Sequence, residues 1–217
     1  MNKDIYNKVD QYINDLFVKE DDNLLNTKES LLKAEMPQIS VSPVQGKLLH
    51  VLVKMCGAKK IIEFGTLAGY STIWIARALP DDGKIITLEL EQKHAQVAQK
   101  NIDNAGLSNK VEIKTGNATE VMETIDGVFD MFFLDADKPA YPKHLEWTLK
   151  HSRKGSVIIA DNVIRQGEIL DSESTDEDVK GTQKFNAMLA ACNDVSAAVI
   201  PTVGIKGYDG IAIAVVE

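Results

Sequence analysis

The 217-residue sequence has only two cysteines, too few for a disulfide framework. Cys56 and Cys192 each sit in an apolar helical pattern, which predicts two buried thiols in a reducing compartment. Long apolar runs are absent as well, and the first twenty residues, MNKDIYNKVDQYINDLFVKE, carry charges throughout. Neither a membrane span nor a signal peptide is expected, and the expected location is the cytoplasm. Basic charge is short: 24 Lys and Arg face 32 Asp and Glu, a formal net charge of -8. This removes any global attraction to phosphate backbones and disfavours nucleic acid as a partner. No G-x-S-x-G elbow occurs, and His50, His94, His144 and His151 lack zinc-ligand spacing, so neither a hydrolase triad nor a zinc site is indicated. The dinucleotide pattern G-x-G-x-x-G also fails, since three residues separate Gly65 from Gly69.

What is present is a pattern. A chain that is 44% hydrophobic, without repeats or linkers, suits one globular domain over 1–217. Ile5, Val9, Tyr12, Ile13 and Leu16 recur at helical spacing, and a second helix is expected through Leu24, Leu25, Leu31 and Leu32. Ser42, Pro43 and Gln45 make a capping-box start for a helix over 43–56, with Gly57 as its stop. Strands and helices then alternate: KKIIEFG, helix 70–79, KIITLEL, helix 92–105, KVEIKTG, a short helix near 118–125, VFDMFFLD, helix 141–151 and GSVIIADN. Five strands joined by four crossovers predict an α/β fold, a parallel sheet with helices on both faces and ligands at the carboxyl ends of the strands. The tail holds a helix around 179–192 and two strand-like runs, SAAVIPTV and GIAIAVVE. The short connection between them, containing Gly204, Gly207, Asp209 and Gly210, favours an antiparallel pair.

Two strand ends carry chemistry. IIEFGTLAGYS runs from a strand through glycines into a helix start, where a ligand can approach free N–H donors. Glu63 and Glu89 add carboxylates at the ends of the first two strands, one able to accept from ribose hydroxyls. A nucleoside with a positive sulfonium and no pyrophosphate, S-adenosylmethionine, fits; the alternative is a tight turn with solvated glutamates. Further on, Asp135 follows MFFL, and Asp161 with Asn162 follows VIIA, so two parallel strands end in hard oxygen donors able to converge on one magnesium ion. Taken singly, Asp161 reads equally as a helix cap and Asp135 as a turn former. Lys138 is either a solvated loop lysine or a group that takes a proton from a nearby hydroxyl. The five acids between Asp171 and Asp178 read as a solvated loop or as the rim of a site.

In order along the chain, IIEFGTLAGYS, TLELE, FLDADKPAY and ADNVIRQG resemble the magnesium-dependent O-methyltransferases related to catechol and caffeoyl-CoA O-methyltransferases, over about residues 39 to 217. The resemblance implies a Rossmann-like class I methyltransferase fold, a seven-stranded mostly parallel sheet with a reversed last strand, and a homodimer. By position it implies metal ligands at Asp135, Asp161 and Asn162 and a catalytic base at Lys138. It places S-adenosylmethionine against Val41, Glu63, Gly65, Thr66, Ser71, Glu89, Ala118 and Asp135. The helices of 1–38 are expected to contact substrate or a second copy. One departure concerns the acceptor: the aromatic that follows the DN motif in plant enzymes is replaced by Ile164 and Arg165. The expected reaction is methyl transfer to a hydroxyl of a small catechol-like aromatic diol. The alternatives are methylation of a hydroxylated tRNA base and a non-catalytic S-adenosylmethionine-binding module.

Overall fold

Residues 3–204 and 206–217 are described by the computed structural model; Met1 and Asn2, at the head of segment 1–38, and Ile205 lie outside the described residues. Seven strands pair in the order β3-β2-β1-β4-β5-β7-β6, with β1 at Lys60–Phe64, β2 at Lys84–Glu89, β3 at Val111–Thr115, β4 at Met131–Leu134, β5 at Val157–Asp161, β6 at Val195–Gly204 and β7 at Gly207–Val216. The first five are mutually parallel, and β7 runs antiparallel to both β5 and β6, which is the expected reversed strand. The helices are α1 (Lys3–Phe17), α2 (Asp22–Lys33), α3 (Pro43–Cys56), α4 (Tyr70–Ala78), α5 (Gln92–Asn104), α6 (Ala118–Val121), α7 (Tyr141–Lys150) and α8 (Glu177–Ala191).

Burial follows from alternation. Ile61, Met131, Phe133 and Ile159 point to one face, under Ile73 and Leu49 from α4 and α3, while Ile62, Phe64, Phe132 and Ile158 point to the other, under Trp147 and Phe185 from α7 and α8. Both faces being apolar, β4 is buried along its whole length. The strand order reverses between β1 and β4, so the backbones leaving these neighbours diverge and open a crevice at their carboxyl ends.

α3 begins as its sequence predicts: Ser42 Oγ accepts from Gln45 N at 3.2 Å, and Gln45 Oε1 accepts from Ser42 N at 2.9 Å. The tail differs from expectation. β6 ends at Gly204 and β7 begins at Gly207, so Gly204, Gly207, Asp209 and Gly210 lie in strands rather than in a connection. Ile5, Val9, Tyr12 and Leu16 of α1 are exposed. Cys56 and Cys192 are free thiols but only half-buried, since both stand near helix ends, where the last turn faces solvent. Among the described residues no helix is long and apolar enough to cross a membrane.

Candidate active site

A cavity of about 690 Å³ crosses the carboxyl ends of β2, β1, β4 and β5. Pairing of Leu88 with Phe64, Phe64 with Leu134, and Leu134 with Ala160 brings Glu89, Gly65, Asp135 and Asp161 side by side at the end of the sheet. Val41, Gly65, Thr66, Ser71, Glu89, Ala118, Asp135, Lys138 and Asn162 all line this cavity. Glu63 and Asp161 are set back from its wall, at 0% and 4% exposed.

At the β1–β2 end, the turn after β1 is held by carboxylates. Gly65 has φ 97, and a Cβ there would strike the carbonyl of Asp135, so glycine is required by β4 itself as well as by any ligand. Glu89 Oε2 accepts from Thr66 N (3.2 Å) and Leu67 N (2.7 Å), and its Oε1 accepts from Glu91 N (3.0 Å). Glu89 therefore orders the turn while its side chain faces the cavity. Glu63 accepts from Ser71 Oγ (2.6 Å), Thr72 Oγ1 (2.5 Å) and Thr87 Oγ1 (2.7 Å). Thr87 has one proton and gives it to Glu63, so Thr66 must be the donor in the 2.6 Å bond between the two threonines. Burial pushes the Glu63 carboxyl up to about 7 against these three bonds. Glu63 reaches the cavity wall through Ser71 and, by way of Thr87, through Thr66.

At the β4–β5 end, Lys138 lies in a 3-10 turn, Lys138–Ala140, just after Asp135. Its ammonium is 7% exposed as a side chain and donates to Asp135 Oδ1 at 3.3 Å and to Tyr141 Oη at 2.6 Å. Tyr141 Oη shares its one O–H between the carbonyls of Leu134 (2.7 Å) and Asp161 (3.0 Å), tying the lysine to both strand ends. Gly181 lets α8 lie directly on this turn, where a Cβ would strike the Lys138 carbonyl. Asp161 Oδ1 accepts from Gln45 Nε2 (3.2 Å) and Asn162 N (2.9 Å), and Asn162 has the left-handed φ of 58. Burial, then the neighbouring Asp135, push the Asp161 carboxyl up to about 7; burial raises Asp135 too, against Lys138. Among the described residues no three His, Cys, Asp or Glu side chains cluster as a metal set. The Asp135 and Asp161 carboxylates, the first of which raises the second, completed by the Asn162 amide, nonetheless fit one hard divalent cation, because that charge offsets the repulsion.

Tyr141, Gln45 and Asp209 are contributors that sequence reasoning missed. Asp209 Oδ1 accepts from the N–H groups of Ile164 (3.1 Å), Arg165 (3.0 Å) and Gly210 (2.8 Å), fixing the loop that leaves Asn162. A tyrosine three residues after Lys138 was the only local signal among the three.

The profile of the family described as O-methyltransferase matches residues 15–215. The chain belongs to that family. A catechol O-methyltransferase of Niastella koreensis is 54% identical over 221 residues, covering 100% of both chains. The O-methyltransferase TomG of Streptomyces achromogenes, involved in tomaymycin synthesis and solved in complex with SAM, superposes with a TM-score of 0.96 at 42% identity, covering 100% of this chain and 99% of its own. An O-methyltransferase of Bacillus cereus, solved in complex with SAH, gives 0.96 at 44%, covering 99% of each. These relatives agree with the fold expected from the sequence motifs.

One cavity residue of this O-methyltransferase has a measurable pH signature. His144 is fully buried, stacked on Phe64 at 4.5 Å, with neither ring nitrogen hydrogen-bonded, and burial, then the charge of Lys138, push it down to about 4. A histidine whose folded pKa lies below the unfolded 6.5 contributes stability above pH 6.5 that is lost as pH falls towards 4. That loss is at most about 3 kcal/mol. His144→Phe should therefore lower Tm less than the wild type between pH 7 and pH 5 in thermal melts. Parallel Tm losses in the two proteins would contradict this account of His144.

Proposed function

We propose that this O-methyltransferase moves a methyl group from S-adenosylmethionine to one hydroxyl of a small vicinal aromatic diol, with magnesium or a similar divalent cation held by Asp135, Asp161 and Asn162. The observation that carries the reading is the buried Lys138 Nζ, fixed between Asp135 and Tyr141 inside the cavity bordered by the Gly65 turn. A non-catalytic binding module gives no reason to bury that ammonium against a carboxylate beside a cavity. When bound, S-adenosylmethionine supplies the methyl group, and the cation supplies Lewis acidity that lowers the pKa of a diol hydroxyl.

The chain's own part is positioning and proton transfer. Val41, Gly65, Thr66, Ser71 and Ala118 form the donor wall, Glu89 stands ready to accept from ribose hydroxyls, and Glu63 holds Ser71 from behind. Asp135 borders both halves of the cavity. In its neutral amine form Lys138 takes the hydroxyl proton at Nζ and becomes the ammonium, and the bond to Tyr141 keeps that nitrogen at the strand end. The name of the 54% identical relative supports the catechol class of acceptor.

Residues 1–217 act as one methyltransferase domain in this reading, in the cytoplasm. Pro37, Ile39, Ser40 and Val41 after α2 line the cavity, and a second copy of the chain covers the outward stripe of α1, where Tyr12 is 65% exposed, together with Met55 of α3, 77% exposed. Methylation of a panel of catechol, caffeoyl-CoA and hydroxylated tRNA, with and without magnesium, tests the reaction, and sedimentation of the same preparation tests the dimer. Magnesium-dependent product from a catechol is expected. Product from tRNA alone, or undiminished turnover in excess chelator, would refute the reading.

A further inference from the structure

The cavity wall beyond Asn162 contains a guanidinium that is only half used. Arg165 lines the cavity and gives Nη2–H to Asp178 Oδ2 at 3.1 Å, while its Nε–H is buried without a partner. A buried donor left unpaired is unfavourable. The backbone beneath it is also constrained: Arg165 and Gln166 have φ 52 and 55, left-handed values that side chains with a Cβ rarely adopt. Asp209 holds the turn in that form by accepting from Ile164 N and Arg165 N. A surface arginine needs neither the strained turn nor the anchor. Together they aim the side chain along the wall shared with Asp135, Lys138 and Asn162.

The geometry points to a carboxylate on the acceptor ring as the partner of Arg165, so that the enzyme selects catechols bearing an acid group. This rests on the diol reading above. The side of a guanidinium formed by Nε and one Nη matches the two oxygens of a carboxylate, and Asp178 occupies only one of those positions. Asp178 can yield the one it holds. Its side chain is 44% exposed and stands in the first turn of α8, where a carboxylate turned to water still faces the positive end of the helix. A group with two negative charges fits less well, because Asp135, Asp137 and Asp178 line the same cavity and repel the second charge. The five acids of 171–178 thus split: Asp178 alone lines the cavity, paired with Arg165, while Asp176 caps α8 by accepting from Asp178 N and Val179 N.

The test compares kcat/KM for 3,4-dihydroxybenzoate and its neutral counterpart 3,4-dihydroxybenzamide, with magnesium, in the wild type, Arg165→Leu, Arg165→Lys and Asp178→Asn. Each protein is its own reference, so a general loss from misfolding cancels in the acid-to-amide ratio. The wild type should favour the acid by about tenfold or more, as expected for a charge-assisted pair. Arg165→Leu should bring the ratio near one, Arg165→Lys should keep part of it without the fork, and Asp178→Asn should raise it. A wild-type ratio of one or less, or a ratio that survives Arg165→Leu, overturns the proposal. Calorimetric titration of the two compounds into protein loaded with S-adenosylhomocysteine and magnesium separates this from the diol reading. Preferred binding of the acid that Arg165→Leu abolishes supports Arg165 even without turnover, and then only the reaction assignment fails.

Discussion

Asp161→Ala is expected to abolish methyl transfer while S-adenosylmethionine still binds. Asp161 is set back from the donor wall, with Oδ1 taken by Gln45 and Asn162 and Oδ2 left for a cation. Removing it takes away one of two carboxylates and frees Asn162, whose left-handed backbone is held in part by that carboxylate. Loss of several kcal/mol of Lewis-acid stabilisation corresponds to roughly 10³-fold or more in kcat. Asp161→Asn is the informative companion, because its amide oxygen can still accept from Gln45 and Asn162 while the charge is gone. Both variants should bind S-adenosylmethionine within a few-fold of the wild type in calorimetry, and both should lose affinity for magnesium. Normal magnesium binding by either variant would place the cation elsewhere. Loss of donor binding in both would instead make Asp161 a support of the donor pocket.

The parts of this site legible in the sequence are those where one residue and its chain neighbours set the geometry. A strand that runs MFFL into Asp135 has to deliver that carboxylate at the sheet end, and the capping box at Ser42 and Gln45 places the start of α3 to the residue. What the sequence hides is assembled across the chain. Gln45 completes its capping box with one end of its amide and reaches Asp161 with the other, 116 positions away. Asp209, assigned to a connection by its glycine neighbours, lies in β7, which begins at Gly207, and from there it organises the loop after Asn162. For the α1 stripe the sequence leaves the covering partner open. Helical periodicity reports an apolar face but not what covers it, and here that face points outward.

Lys138→Ala is expected to leave magnesium and S-adenosylmethionine affinity nearly intact and to lower kcat by roughly 10²-fold or more, the usual contribution of a positioned general base. The geometry sharpens this in two ways. First, Lys138 binds Asp135 at 3.3 Å, its longer contact, and Tyr141 at 2.6 Å, so the closer tie is to a neutral hydroxyl rather than to the proposed ligand. Truncation therefore costs Asp135 little of its orientation, which is also set by the bond from Asp135 N to Phe64 O. Second, Lys138→Arg restores the charge and the hydrogen bonds but cannot accept a proton at ordinary pH. The two substitutions thus separate charge from proton transfer. If Lys138 acts as the base, arginine should be nearly as slow as alanine, and Tyr141→Phe should lower kcat less than either by loosening the nitrogen without removing it. If arginine instead turns over at close to the wild-type rate, Lys138 serves only to balance the carboxylates, and the proton must leave by another route.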